Sequence, residues 1–441
     1  MKRSAACSLV AWKSSPRRKP LLLRGARQTG KTWLLRTFGE QEFARVLHLD
    51  FEEDPRLDDL FQRDLDPRRI LKDLAVYLGQ DVEPGRDLVI FDEIQASDRA
   101  LTSLKYFRER APEIHVVAAG SLLGVRTAEP GSFPVGQVRF LDLDPMSFPE
   151  FLEARGRPKV ASLLENIEAF DPLPVAIHDD LVDLLREYTF VGGMPEAVKT
   201  FTETQDAEAT RQIQREICDA YILDFAKHAP PTDIPKLGLI WDSIRRQLAK
   251  ENRKFMFSAV KKGARARGYE NALRWLQDAG LVHLCHAVET SRGPLGHHAD
   301  PSCFKVYPVD VGLLGAMART APQLLVGGER LFTEYRGALT EAYVAQQLVA
   351  AGYRDLHYWR SKGGKAEVDF LIEVEGRVVP IEAKAGLSRK SKSLRSYDQQ
   401  FAPEVLIRTN LRNLKLDGKI ANIPLHAAYE IPRLARLALA G

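Results

Sequence analysis

Short apolar runs alternate with amphipathic stretches along the first third of the chain. Five runs are typical of strands: Leu21–Arg24, Val46–Phe51, Leu88–Asp92, Ile114–Gly120 and Val138–Leu143. Runs that are apolar at almost every position indicate strands buried on both faces, and helical stretches between them indicate crossover connections. The pattern therefore predicts an α/β fold with a parallel sheet covered by helices.

The pattern changes three times further along the chain. Residues 147–229 are helical in pattern, with a break at Gly192–Pro195, and Ile234–Val288 is a basic helical segment that ends in a strand. Beyond residue 291 we predict a helix at Leu331–Ala350 and a hairpin at Glu367–Lys384, followed by a second basic helical segment. These changes predict four parts, at residues 1–150, 151–232, 233–290 and 291–441.

Composition narrows the class of protein without naming a function. The chain has 441 residues, a net charge of +4 and 45% apolar residues, which is typical of a soluble globular protein with two to four domains. Its four cysteines are scattered and form no CxxC pair, which argues against a zinc site or a disulfide framework. With no predicted signal peptide or membrane-spanning run, we expect a cytoplasmic protein without a membrane partner.

A glycine-rich loop follows the first predicted strand. The pattern G-x-x-x-x-G-K-T ends at Thr32 and directly precedes a predicted helix, which is the context that a phosphate-binding loop requires. Lys31 would reach the β- and γ-phosphates of ATP, and the Thr32 hydroxyl would bind Mg²⁺. The candidate nucleotide-binding residues are Gly25, Ala26, Arg27, Gln28, Thr29, Gly30, Lys31 and Thr32. The loop predicts ATP and Mg²⁺ as cofactors, and a chance glycine turn is the alternative.

An acidic pair ends the third predicted strand. Asp92 and Glu93 follow four apolar residues. Asp92 would hold Mg²⁺ through water, and Glu93 is the candidate base that activates the attacking water. The fourth strand leads to Ser121, which could sense the γ-phosphate or serve as an ordinary turn residue. With Lys31, these residues predict an ATPase.

These motifs resemble those of bacterial and archaeal AAA+-type ATPases that carry a C-terminal domain of unknown function, DUF4143. The resemblance runs from GARQTGKT, LHLDFEEDP and LVIFDEIQ through FVGGMPEAV and KVYPVDVGLL to EVDFLI and PIEAK, and it covers nearly the whole chain. It implies a P-loop ATPase domain at residues 1–150 and a helical region at 151–232. A winged-helix-like domain at 233–290 and a restriction-endonuclease-like domain at 291–441 would follow.

The resemblance also bears on contacts between subunits. Gln137 stands in FPVGQV where relatives are expected to carry a basic residue, so a nucleotide contact in trans from this position is in doubt. Arg108 and Arg110 are candidates for an arginine finger. Either contact in trans would require a homo-oligomer, which the resemblance leaves open.

The stretch EVDFLIEVEGRVVPIEAK predicts a hairpin whose charges converge. We expect a two-residue turn at Glu375-Gly376, for which glycine is suited. The opposed pairs would then be Val374 with Arg377, Asp369 with Glu382, and Glu367 with Lys384. All four of these charges would lie on one face. The other face would carry Phe370, Ile372, Val379 and Ile381.

This set of charges resembles the D…E-x-K signature of the restriction-endonuclease-like fold. Asp369, Glu382 and Lys384 are the candidate catalytic residues, and Glu341, on the predicted helix, would join Asp369 and Glu382 as a metal ligand. Oxygen ligands favour a hard ion such as Mg²⁺, which we expect to bind weakly. The alternatives are a solvated sheet face, or a fold kept for binding or docking without nuclease chemistry.

Ten basic residues lie between Ile244 and Arg274, against two acidic ones. A helix, a basic turn, a second helix and a wing strand suit contacts with phosphates, so Arg245–Arg274 predicts a DNA or RNA partner. A protein-docking surface is the alternative. A second basic cluster follows the E-x-K strand and could hold a nucleic-acid backbone or be a plain exposed helix: Arg389, Lys390, Lys392 and Arg395.

Overall fold

The computed structural model describes residues 1–121, 136–250, 253–320, 336–387 and 391–440. Contacts divide the chain into two compact units. The N-terminal unit contains residues 2–144 and 278–280, and the C-terminal unit contains Met1, 145–277 and 281–441. The predicted division into four parts remains a prediction.

The N-terminal unit contains a five-stranded parallel sheet. Its strands are β1 (Leu21–Gly25), β2 (Arg45–Asp50), β3 (Asp87–Asp92), β4 (His115–Ser121) and β5 (Arg139–Asp142). They lie in the order β2-β3-β4-β1-β5, and every neighbouring pair is parallel. The parallel sheet predicted from the sequence is confirmed. Because parallel strands end at one edge, the residues that follow β1, β3 and β4 lie close together.

Helices cover both faces of this sheet. They are α1 (Ala5–Lys13), α2 (Lys31–Glu42), α3 (Asp59–Gln62), α4 (Pro67–Leu78) and α5 (Asp98–Arg110). Alternate residues of one strand pack on opposite sides: Leu88 and Ile90 join Trp12 of α1, whereas Val89 and Phe91 join Phe107 of α5. Burial on both faces explains why these strands are apolar throughout.

The C-terminal unit begins with helices, as the sequence predicts. The helices from its start to the second sheet are α6 (Phe148–Ala154), α7 (Pro158–Glu165), α8 (Val175–Val191), α9 (Pro195–Thr204), α10 (Ala207–His228), α11 (Ile234–Leu248), α12 (Phe257–Val260) and α13 (Ala266–Asp278). The predicted break at Gly192–Pro195 separates α8 from α9. Later helices are α14 (Val311–Met317), α15 (Arg336–Ala350), α16 (Lys392–Phe401) and α17 (Ile431–Ala440). The start of the predicted helix at 331–335 lies outside the described residues.

An eight-stranded mixed sheet forms the second half of this unit. Its strands are β6 (Val282–Val288), β7 (Asp300–Pro308), β8 (Leu356–Arg360), β9 (Glu367–Val374), β10 (Arg377–Ala383), β11 (Leu406–Asn410), β12 (Lys415–Asp417) and β13 (Ile420–Pro424). They lie in the order β12-β13-β11-β10-β9-β8-β6-β7. The predicted wing strand is β6, and it lies between β7 and β8. The predicted boundary at residue 290 would therefore fall between β6 and the rest of the sheet that contains it.

Candidate functional site

The glycine-rich loop connects the end of β1 to the start of α2. Gln28 and Gly30 both have positive φ, at 64° and 88°, so the loop turns sharply before the helix begins at Lys31. Gly25 has no room for a side chain, because a Cβ atom there would lie 2.2 Å from the carbonyl oxygen of Leu143. The loop thus has the compact strand–turn–helix geometry of a phosphate-binding loop.

Lys31 is buried inside this loop. Its Nζ donates to the carbonyl oxygens of Gly25 and Ala26, at 3.2 and 2.9 Å. Burial lowers the pKa of Lys31 to about 8, although Glu93 and Asp92 nearby favour the charged form. An ammonium group stripped of water and held within the loop is well suited to bind a phosphate.

Asp92 ends β3 beside this loop and is almost fully buried. Its Oδ2 lies 3.0 Å from His48 Nε2, and its Oδ1 accepts from the backbone N–H of Glu93 at 3.1 Å. Burial raises the pKa of Asp92, but hydrogen bonds from His48 and Thr32 outweigh it and hold that pKa below its ordinary value. Asp92 is therefore an ionised carboxylate next to the Thr32 hydroxyl, as the predicted Mg²⁺ site requires.

Glu93 lies just beyond the strand and is partly exposed. Its backbone is left-handed, with φ at 47°, and its Oε2 accepts from the side-chain amide of Gln95. A non-glycine residue in this conformation is uncommon, and such residues cluster at functional sites. The turn separates the Glu93 carboxylate from Asp92, which leaves the two acids free to take different roles.

Two residues that sequence reasoning missed also support this site. Arg3 is buried and donates from Nη1 to the Thr29 carbonyl oxygen at 2.9 Å, so the N-terminal segment contacts the phosphate-binding loop. His48 on β2 reaches Asp92. The sequence does mark His48 as a polar residue between two apolar ones in a strand. Its contact with Asp92 could not be predicted, because that contact depends on which strand lies beside β2.

The remaining predicted residues of this unit lie in different surroundings. Ser121 is the last residue of β4 and is paired in register with Gly25, so it stands beside the loop. Gln137 accepts from Arg108 at 2.5 Å, and Arg110 lies 3.7 Å from Asp66. Arg108 and Arg110 thus have partners within their own unit, and their role in trans stays a prediction.

The C-terminal hairpin has the predicted register. Glu375 and Gly376 form its turn, with φ of 51° and 76°. The β9–β10 ladder runs from Val374–Arg377 to Phe370–Ile381. Asp369 comes next along β9, and its Oδ2 accepts from the backbone N–H of Ala383 at 2.9 Å. The predicted turn, and the predicted register from Val374–Arg377 to Phe370–Ile381, are therefore those observed, and the ladder ends before the predicted pair of Asp369 and Glu382.

A β-bulge changes which residues face each other at the start of β9. The pairing of β9 with β8 shifts between Leu371 and Val368, and these two residues pack in the same apolar cluster although they are three apart. A bulge inserts one extra residue and so breaks the alternation of faces. The predicted opposition of Glu367 and Lys384 is accordingly not seen, because Glu367 pairs with Lys305 of β7 at 2.5 Å.

The acidic residues of this region have protein partners. Glu341 on α15 is 2% exposed, and its carboxylate binds Arg253, Lys305 and the hydroxyl of Tyr307. Glu382 accepts from Ser391 Oγ and pairs with Lys384, each at 2.6 Å. Burial lowers the pKa of Lys384, but Asp369 and Glu382 outweigh it and hold that pKa above its ordinary value. The two carboxylates therefore favour the charged form of Lys384.

This arrangement does not fit the Mg²⁺ site predicted at Glu341, Asp369 and Glu382. Within the described ranges, no three Asp, Glu, His or Cys side chains are grouped so that they could hold a metal ion. Arg253 and Lys305 neutralise Glu341, while Lys384 neutralises Glu382. The C-terminal metal site stays a prediction, and the partners of its acids argue against it.

The basic segment has the predicted order of elements. Helices α11, α12 and α13 are followed by the β6–β7 hairpin. Four exposed residues, called here the basic cluster, lie between α12 and the first turn of α13: Lys261, Lys262, Arg265 and Arg267. Arg253 is an exception within the predicted surface, because it binds Glu341. In the second basic cluster Lys392 and Arg395 are exposed on α16, whereas Arg389 and Lys390 lie outside the described residues.

Comparisons with known families agree with this architecture. Residues 17–152 match a family described as AAA domain. Two domains of unknown function match further along, DUF8612 at residues 182–324 and DUF4143 at residues 336–428. The parallel sheet, the loop and the acidic strand end define an AAA-type P-loop ATPase fold. The chain joins this AAA domain to a C-terminal DUF4143 domain, and the predicted resemblance is confirmed to that extent.

Similar solved structures are distant. The Walker-type ATPase PAby2304 of Pyrococcus abyssi is 15% identical with a TM-score of 0.45, over 72% of this chain and 95% of that chain. The RuvB Holliday junction branch migration motor of Thermotoga maritima is 17% identical with a TM-score of 0.31, over 67% and 90%. The ORC1 protein of Aeropyrum pernix, solved with DNA, is 13% identical with a TM-score of 0.28, over 71% and 90%. No curated protein sequence matches significantly.

Among the helices that the structure describes, none combines the length and the apolar character needed to cross a bilayer.

Proposed function

We propose that this protein binds and hydrolyses ATP, and that its nucleotide state controls a C-terminal module directed to nucleic acid. The buried Lys31 inside a loop that leads into α2, with Asp92 and Thr32 beside it, supports the first part most directly. The exposed basic cluster supports the second part. A homo-oligomer is part of the same proposal, since contacts in trans require one.

Each residue of the loop and of the β3 end has a role in this proposal. The backbone N–H groups of residues 25–32 and the positive end of α2 would bind the phosphates. Lys31 would exchange its carbonyl partners for β- and γ-phosphate oxygens, and Ser121 would contact the γ-phosphate. Thr32 and Asp92 would hold Mg²⁺, which neutralises charge on the phosphates. Glu93 would take the proton from the attacking water.

Two substitutions separate binding from hydrolysis. Lys31→Ala should lose nucleotide binding, because the phosphates lose their main cationic partner. Glu93→Gln should bind ATP as the native protein does but lose hydrolysis, because the substitution removes only the proton-accepting carboxylate. Binding would be measured with a fluorescent ATP analogue and hydrolysis by phosphate release. Native turnover in Lys31→Ala would refute the proposal, and native turnover in Glu93→Gln would show that Glu93 is not the base.

A specific observation favours a second function for the C-terminal half. Because Arg253, Lys305 and Tyr307 occupy the Glu341 carboxylate, the DUF4143 domain would be a docking module without nuclease chemistry. The chain would then be a regulatory nucleotide switch. Hydrolysis assayed with and without DNA and RNA, with the nucleic acids run on a gel, distinguishes the two. Stimulation by nucleic acid supports the first function, cleavage products support a nuclease, and indifference to nucleic acid supports the switch.

A further inference from the structure

His48 occupies an unusual place for a polar residue. It lies in β2 between two buried leucines, and β2 runs parallel to β3 with His48 aligned to Ile90 and Asp50 to Asp92. The His48 ring therefore starts two positions before the strand end and reaches forward to the end of the neighbouring strand. Its Nε2 lies 3.0 Å from Asp92 Oδ2. The side chain of Asp92 is 1% exposed, whereas that of His48 is 24% exposed.

The contact completes the set of groups that orient the Asp92 carboxylate. The backbone N–H of Glu93 binds Oδ1 at 3.1 Å, and the Thr32 hydroxyl also hydrogen-bonds this side chain. Without His48, the buried Asp92 carboxylate would lose one of its three hydrogen-bond donors, and a lost donor to a buried charged group is costly. The Glu93 N–H and the Thr32 hydroxyl would remain, so the orientation of the carboxylate would be less tightly fixed.

His48 does more than fill space in the core. His48 also lines a cavity of about 610 Å³, together with residues that include Asp50, Glu53 and Tyr77. A packing role alone would be served by an apolar side chain like those of Leu47 and Leu49. The imidazole instead directs a hydrogen bond at the one carboxylate that the nucleotide site needs in a fixed orientation.

We propose that His48 is a positioning residue for the Mg²⁺–nucleotide site: it holds Asp92 so that the carboxylate and the Thr32 hydroxyl face the same ion. This inference rests on the proposed ATPase function. Removing a group that hydrogen-bonds to a metal ligand typically weakens metal affinity about 10- to 100-fold. Loss of the His48 hydrogen bond should therefore weaken Mg²⁺ affinity without weakening metal-free nucleotide binding.

The test compares His48→Leu, which has no donor, with His48→Gln, whose amide can donate to Asp92. Binding of a fluorescent ADP analogue in EDTA should be the same in both variants and in the native protein. In the ADP complex, Mn²⁺ affinity followed by electron paramagnetic resonance should fall about tenfold or more in His48→Leu. His48→Gln should recover most of that loss.

The outcomes separate this inference from the proposed function. If the native protein bound no nucleotide, the ATPase proposal itself would fail. If it bound nucleotide but His48→Leu kept native Mn²⁺ affinity, only the role of His48 would be refuted. Should His48→Leu fail to fold, His48→Asn replaces it, because the shorter amide cannot reach Asp92, and native affinity in that variant would also refute the inference.

Discussion

The affinity of the nucleotide site should depend on pH through Lys31. With a pKa of about 8, Lys31 is about nine-tenths charged at pH 7 and about one-tenth charged at pH 9. Phosphates bind the charged form, so nucleotide binding raises the pKa of Lys31 and is linked to proton uptake. The dissociation constant of ATP should therefore rise about tenfold from pH 7 to pH 9, by the linkage between binding and protonation. An exposed lysine, with its ordinary pKa, would show almost no change over this range.

Calorimetric titration with ATP in EDTA measures this effect without contributions from metal. Lys31→Arg is the matched control, because a guanidinium stays charged at pH 9 and its affinity should be flat, even if it is weaker. A flat profile for the native protein would refute the assigned pKa shift. The same slope in Lys31→Arg would mean that another group titrates.

Three further predictions concern the C-terminal unit. Replacing the four residues of the basic cluster with alanine should weaken nucleic-acid binding across sequences and lower the log–log salt slope for duplex DNA by roughly 0.9 per lost contact; an unchanged slope would indicate a docking role. Arg253→Ala should lower the free energy of unfolding by about 2 kcal/mol, measured by urea titration, because the buried Glu341 carboxylate loses one of its two cationic partners, whereas Arg253→Lys should retain most of that stability. Burial holds the pKa of His426 at about 3, so the unfolded chain takes up the proton first as pH falls. Acidification from pH 7 to pH 5 should therefore remove about 2 kcal/mol of the free energy of unfolding through His426 alone, measured by urea titration as the difference between the native protein and His426→Leu.

Local signals explain how much of the nucleotide site could be predicted. The run from Gly25 to Thr32 specifies its own backbone, since glycine and the helix start act over a few residues. A buried parallel strand can be recognised in the sequence from its continuous apolar residues. The two acids that end such a strand therefore stand out from the apolar run before them. The C-terminal turn at Glu375-Gly376 was predictable for the same reason, because a two-residue turn sets the register of its hairpin.

Contacts between distant segments were beyond these signals. The contact between His48 and Asp92 depends on β2 lying next to β3. No local sequence pattern predicts the order of strands in a sheet. The pairing of Arg253 with Glu341 joins two helical regions that are far apart in the sequence. The bulge between Val368 and Leu371 cannot be recognised from the pattern of apolar and polar residues. A prediction based on strict alternation of the two sheet faces therefore placed Glu367 opposite the wrong partner. In each case the residues that come into contact are determined by tertiary packing, which the local sequence does not specify.

The position of β6 determines how this protein can be dissected. A fragment that begins at residue 291 would contain β7 and β8 but not the strand between them, so both would present bare hydrogen-bonding edges. Such edges recruit other chains, and a preparation of this kind would aggregate. A fragment that begins at residue 233 keeps the sheet whole and brings the basic cluster with it. Because β6 begins at Val282, beyond the basic cluster, a fragment that begins at residue 281 also keeps every strand of the sheet but lacks the basic cluster. Comparing the two fragments therefore separates the phosphate affinity of the basic cluster from the properties of the DUF4143 region.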